Sequence, residues 1–130
     1  MADTLTFSLV SPERELFSGQ VDQVDLPGTE GDLGVLPNHS PLMAAIRTGA
    51  ITVYSNGSEE KFFVEGGFAD VTPAGLTVLA EVATPLADVD PADLTARIEK
   101  ARAELEMMSD EKAMAHRLHI DGLEAIFNMV

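Results

Sequence analysis

Along the first two thirds of the chain, hydrophobic and polar residues alternate. Along the last third, hydrophobic residues recur every three to four positions. Leu5, Phe7 and Leu9 alternate with Thr6 and Ser8, the pattern of a half-buried strand. Leu16-Phe17, then Val21, Val24 and Leu26, predict two more short strands. Ser11-Pro12-Glu13-Arg14 reads as a turn. Ile51-Thr52-Val53-Tyr54 and Lys61-Phe62-Phe63-Val64 flank Asn56-Gly57, the strongest short-range hairpin signal, with a loop of two residues or of four, Ser55 to Ser58. Pro73-Ala74-Gly75 separates Phe68-Ala69-Asp70-Val71 from Leu76-Thr77-Val78-Leu79. Turn signals spaced by about 8–12 residues predict a sandwich or barrel.

Near residue 85 the period changes. Asp90-Pro91 predicts a helix start, with Asp as N-cap, Pro at the first helical position and Asp93 near the positive end of the dipole. Leu94, Ile98, Ala101, Leu105 and Met108 then form one apolar stripe. Ser109-Asp110-Glu111 reads as a break and a second N-cap. A second stripe, Ala115, Leu118, Gly122, Ala125 and Met129, follows. Matched stripes across a short break predict an antiparallel helical hairpin. Small residues at 101, 115, 122 and 125 would let the backbones approach closely. Gly122 costs about 1 kcal/mol of helix stability relative to Ala, so the second helix is expected to be the weaker one.

Charge narrows the possible partners. The chain of 130 residues carries a formal charge of −14, and such a surface repels nucleic-acid backbones and anionic lipid headgroups. Residues 1–88 hold 13 acids and 3 bases, and residues 89–130 hold 9 acids and 5 bases. There is no Cys, hence no disulfide framework, thiolate metal site or Cys nucleophile. No apolar run approaches the roughly 18 residues of a membrane span. Met1-Ala2-Asp3-Thr4 shows no basic or apolar leader pattern, so a cytosolic location is expected.

Catalytic motifs are lacking. His39 is the one histidine of the β half, and its neighbour Ser40 lies in a Ser-Pro turn instead of a nucleophile elbow. His116 and His119 stand i, i+3 on a helix, a metal pair only if Glu111 or Asp121 serves as a third ligand; exposed polar positions are the simpler expectation. Gly28, Gly31 and Gly34 do not match a dinucleotide fingerprint, and neither they nor Gly66-Gly67 form a phosphate loop. Bulges and positive φ are the expected roles of these glycines. The chain is therefore read as binding partners and not as an enzyme, with an enzyme centred on His39 as a weaker alternative.

One stretch stands out, Gly28-Thr29-Glu30-Gly31-Asp32-Leu33-Gly34-Val35-Leu36-Pro37-Asn38-His39-Ser40-Pro41-Leu42. It predicts a rigid exposed loop that turns a corner or presents a surface. With Phe17-Ser18-Gly19, Gly49-Ala50-Ile51, Glu65-Gly66-Gly67-Phe68-Ala69-Asp70-Val71 and Leu76-Thr77-Val78-Leu79-Ala80, it closely resembles the epsilon subunit family of bacterial F-type ATP synthases, in order and spacing across nearly all of residues 3–85. The resemblance implies a β-sandwich that binds the central-stalk gamma subunit and sits on the membrane rotor ring of c subunits. It implies a C-terminal hairpin that lies on the sandwich or extends into the alpha/beta catalytic head and inhibits ATP hydrolysis. It implies no active site of its own and a peripheral place on the cytoplasmic face of the bacterial inner membrane. The expected architecture is thus a sandwich of about ten strands over residues 1–87 and a two-helix hairpin over residues 88–130.

Residue by residue, the resemblance implies ring contact at Glu30, Gly31, Asp32 and Leu33, with Asp32 pairing to a basic ring-loop side chain. It implies a stalk or loop interface at Pro37, Asn38 and His39, where a loop-fixing hydrogen bond or a gamma contact is expected of the histidine. Some family members bind ATP on the hairpin through I/L-D-x-x-R-A. Ile98-Glu99-Lys100-Ala101-Arg102-Ala103 follows that pattern with Glu99 in place of Asp, so Ile98, Glu99, Arg102 and Ala103 are candidate nucleotide contacts. The alternative is that Glu99 and Arg102 form only a surface pair. The second helix carries Lys112 and Arg117 against Asp110, Glu111, Asp121 and Glu124. A net-acidic helix suits an acidic target poorly, so weak inhibition is expected.

Overall fold

The computed structural model describes residues 4–130; Met1, Ala2 and Asp3, on which part of the leader reading rests, lie outside the described residues. Eight strands are followed by two helices: β1 (Leu5–Val10), β2 (Glu15–Val21), β3 (Gln23–Gly28), β4 (Gly31–Val35), β5 (Leu42–Ile46), β6 (Gly49–Ser55), β7 (Ser58–Thr72), β8 (Gly75–Pro85), α1 (Pro91–Glu106) and α2 (Asp110–Phe127). A 3₁₀ turn, Leu86–Asp88, joins the two parts.

The strand count is eight and not about ten because β7 and β8 run unbroken through a bend. Residues 58–64 of β7 pair with β6, and residues 67–71 pair with β5. Strand β8 follows β7 along both halves and also pairs in parallel with β1. These two long strands therefore belong to both layers of the sandwich. The bend lies at Gly66-Gly67, both at positive φ. A Cβ on Gly67 would come within 2.2 Å of the Leu79 carbonyl oxygen, so no larger residue fits this crossing.

The alternating residues meet inside. Leu5, Phe7 and Leu9 from β1 pack with Val24 and Leu26, Ile51 and Val53, Phe62 and Val64, and Leu76 and Val78 in one continuous core. Phe17 joins it from β2, edge-on to Phe62 at 6.3 Å between ring centres. The predicted Asn56-Gly57 hairpin has the two-residue loop, with Ser55 opposite Ser58. The 28–42 stretch is not one loop. Gly31–Val35 is strand β4, zipped against β3 from Val24↔Val35 to Gly28↔Gly31. The irregular part is confined to the Thr29-Glu30 turn and to residues 36–41. Glycine spacing suggested a loop because strand β4 has only two large apolar side chains, Leu33 and Val35.

Helix α1 starts as predicted: the Asp90 carboxylate accepts from the Ala92 N–H at 2.9 Å and Pro91 opens the helix. Its stripe is buried at Leu94, Ile98 and Ala101. The second predicted stripe is displaced. Ala113, Ile120, Leu123 and Ile126 are the buried apolar positions of α2, while Ala115, Leu118, Ala125 and Met129 remain exposed. Two features of the sequence hide the true stripe. The polar His116 occupies one of its positions, and Gly122 is buried against the sandwich instead of against α1.

Candidate functional site

Candidate functional residues lie on three surfaces and in one pocket. The first is the β3–β4 hairpin. Glu30, Gly31 and Asp32 are exposed at its end, and Leu33 is half-buried against the sandwich core. Asp32 is already engaged within the chain: Arg47 Nη2 donates to its Oδ1 at 2.6 Å. Its side chain is nonetheless 76% exposed, so water screens the pair. Farther along, Asn38 adopts φ 65°. His39 makes two local hydrogen bonds. Its backbone N–H donates to the Leu36 carbonyl at 3.2 Å, and its Nδ1–H donates to the Ser40 carbonyl at 2.7 Å. Of the loop-fixing hydrogen bond or gamma contact expected of this histidine, the side chain shows a local bond to its neighbour. Pro37 is half-buried beside it.

The second surface was not singled out in the sequence. Register places Ala45 opposite Phe68, Phe68 opposite Leu79 and Leu79 opposite Val10. Cross-strand partners share a face, so these four residues form one apolar row across β5, β7, β8 and β1. Phe68 is 59% and Leu79 58% exposed, and Met43, two residues along β5 from Ala45, is 68% exposed. The signal was available as outward apolar residues inside strands that already had an inward apolar set. It becomes a row only once the strand order is known.

The third surface is the seam between hairpin and sandwich. Phe63 from β7 packs with Leu94, Ile98, Leu123 and Ile126. Polar contacts surround this small core. Arg97 on α1 forms an ion pair with Glu65 on β7 and lies over the Phe63 ring, 5.8 Å from its centre. His119 Nδ1 is 2.7 Å from the Thr48 hydroxyl. A Cβ on Gly122 would sit 2.1 Å from the Thr48 carbonyl oxygen, so α2 meets the sandwich in backbone contact there. His116 donates its Nε2–H to the Ala101 carbonyl at 2.7 Å, tying α2 to α1. The two imidazoles, expected at exposed positions, are therefore half-buried fasteners. Among the described residues no group of three or more His, Asp or Glu side chains is arranged to hold a metal ion.

Of the candidate nucleotide contacts, Ile98, Glu99 and Arg102 line one pocket of about 250 Å³ together with Thr95, Glu124, Phe127 and Asn128. Ala103 is not among its lining residues. The expected Glu99–Arg102 surface pair is replaced by a cross-helix one: Arg102 Nη2 donates to Glu124 Oε1 at 2.6 Å. Among the described residues, no helix is long and apolar enough to cross a membrane.

Comparison with known proteins agrees with this architecture. Residues 4–86 match the family model for the ATP synthase delta/epsilon chain, beta-sandwich domain. The chain is 47% identical over 132 aligned positions to the ATP synthase epsilon chain of Parvibaculum lavamentivorans, covering 100% of both proteins. It is 56% identical over 112 residues to that of Maricaulis maris, covering 86% of this chain and 84% of the relative. In fold it is similar to a chain from a cryo-EM structure of the Euglena gracilis mitochondrial ATP synthase, OSCP/F1/c-ring, with TM-score 0.81 at 20% identity, over 97% of this chain and 81% of that one.

Proposed function

The chain belongs to the ATP synthase delta/epsilon family as a non-catalytic stalk subunit of that complex, and on this premise we propose how its surfaces divide the work. The apolar row Val10, Leu79, Phe68 and Ala45, with Met43 beside it, docks the gamma subunit. The exposed Phe68 and Leu79 support this reading, because a sheet face with large exposed side chains in one row is the kind of patch that a protein partner covers. Replacing Phe68 with Asp is expected to weaken binding to the gamma-containing complex at least about tenfold by placing a charge in the patch. Unchanged affinity in titration calorimetry overturns the assignment.

The β3–β4 hairpin end, Glu30 to Leu33, meets the polar loops of the c-subunit ring. Arg47 shares Asp32 with any basic ring residue, so the contact sets register more than affinity. An Asp32→Cys chain that never cross-links to ring-loop cysteines in a coupled complex removes this assignment. The chain then lies peripherally, at the cytoplasmic face of the bacterial inner membrane, through its complex. The hairpin is the regulatory part, reaching the alpha/beta head when released, with a weak effect because α2 is net acidic. Deleting residues 109–130 is expected to leave ATPase activity of the reconstituted complex nearly unchanged; a severalfold rise contradicts it.

ATP on the hairpin is a second reading. It draws support from the convergence of Ile98, Glu99 and Arg102 on one pocket. A phosphate there has to displace Glu124 from Arg102. Titration of the chain with ATP tests it, and absence of heat at millimolar nucleotide ends it.

A further inference from the structure

At the Thr48 corner the hairpin meets the sandwich in backbone contact, beside a titratable ring. Thr48 is buried, 7% exposed. Its carbonyl lies against Gly122, and its hydroxyl is 2.7 Å from His119 Nδ1. With Nδ1 unprotonated, the ring accepts the hydroxyl hydrogen. In the imidazolium both ring nitrogens carry hydrogen, so Nδ1–H donates to the Thr48 oxygen, and the hydrogen of that buried hydroxyl needs another acceptor. His119 also lines a small cavity of about 210 Å³ shared with Arg97, Lys100, Ala101, Glu104, His116 and Leu123. The charged groups facing it are Glu65 from β7, Arg97, Lys100 and Glu104 from α1, and His116 from its own helix, whose ring centre is 6.1 Å away. Glu65 is paired with Arg97, so the positive Arg97 offsets part of what Glu65 and Glu104 offer an imidazolium formed here.

We propose that His119 and Thr48 form a proton-sensitive clasp: neutral His119 holds α2 on the sandwich, and protonation releases the hairpin while the sandwich stays folded. Burial holds the His119 pKa below its ordinary value, Glu65 and Glu104 pull it up, and Arg97 and His116 push it down, with burial prevailing. The sign follows from linkage. The docked state prefers the neutral ring, so the clasp is complete above the free-histidine pKa of about 6.5. It weakens as pH falls from there toward the lower docked-state pKa, and not beyond. The clasp concerns the chain's two parts alone and does not depend on what either part binds.

The test uses the full chain in isolation. It has no native Cys, so Glu60→Cys on β7 and Ala115→Cys on α2, both at exposed positions, take spin labels cleanly. Between pH 8 and pH 5.5 the long-distance population is expected to rise about threefold or more, reversibly. His119→Gln, which keeps a polar partner for Thr48 but does not titrate, is expected to abolish the rise. His116→Gln is expected to reduce it only partly, and His39→Gln not at all. A constant population in the parent chain, or an equal rise in His119→Gln, overturns the clasp. Should His119→Gln fail to fold, NMR titration of the parent decides: His119 titrating at or above the free-histidine value overturns the clasp, and titration below it supports the clasp.

Discussion

The sandwich and the hairpin are held by different physics. Among the described residues, the sandwich core contains 17 buried apolar residues drawn from all eight strands, whereas the seam under the hairpin contains five. A fully buried Leu, Ile, Val or Phe contributes about 1.5–3 kcal/mol, so the first core can offset the ordering of its chain and the second is marginal. The seam compensates with polar fasteners: Arg97 with Glu65 and Phe63, His119 with Thr48, and His116 with the Ala101 carbonyl. Apolar burial does not titrate and is not screened by salt, whereas imidazoles titrate and ion pairs are screened. One part is held by a large apolar core, and the other by a small core ringed with polar contacts.

The sharpest way to break this contrast is inside the sandwich. Phe7 is fully buried, and Phe7→Ala is expected to destabilise the whole fold by about 3–5 kcal/mol in urea unfolding. A loss under 1 kcal/mol would mean that the sandwich is not the dominant core. Gly122→Ala should act on the hairpin alone. The new methyl meets the Thr48 carbonyl and costs docking about 1–3 kcal/mol, while α2 itself gains about 1 kcal/mol of helix propensity. Hydrogen exchange should quicken along α2 with sandwich protection unchanged.

Glu65→Gln leaves Arg97 with a neutral partner at a partly exposed seam and is expected to weaken docking by about 1 kcal/mol. The same exchange measurement checks it, and added salt should narrow the difference from the parent chain. At the small end, Asp32→Asn removes an exposed ion pair and should shift unfolding by no more than about 0.5 kcal/mol. A larger shift would show that the Arg47–Asp32 pair helps hold the β3–β4 hairpin in place.

Much of this was written locally in the chain. Alternation made β1, and Asn56-Gly57 made the β6–β7 turn, because a strand's faces and a tight turn's backbone are set by neighbouring residues. Asp90-Pro91 started α1 for the same reason, through one cap and one ring. The lack of a catalytic motif argued against an enzyme from residue types alone, whereas the partner reading of Gly28 to Leu42 came from its resemblance to a family. Tertiary structure decided the rest, because it depends on groups far apart in sequence. Strand order turned Val10, Leu79, Phe68 and Ala45 into a row. The Gly67 crossing let β7 and β8 serve two layers, reducing the strand count to eight. Thr48, 71 positions before His119, claimed that imidazole and the bare backbone at Gly122, and so determined which face of α2 is buried. Periodicity assigns a helix one apolar face. It cannot assign the second face that a helix wedged between two partners must also satisfy.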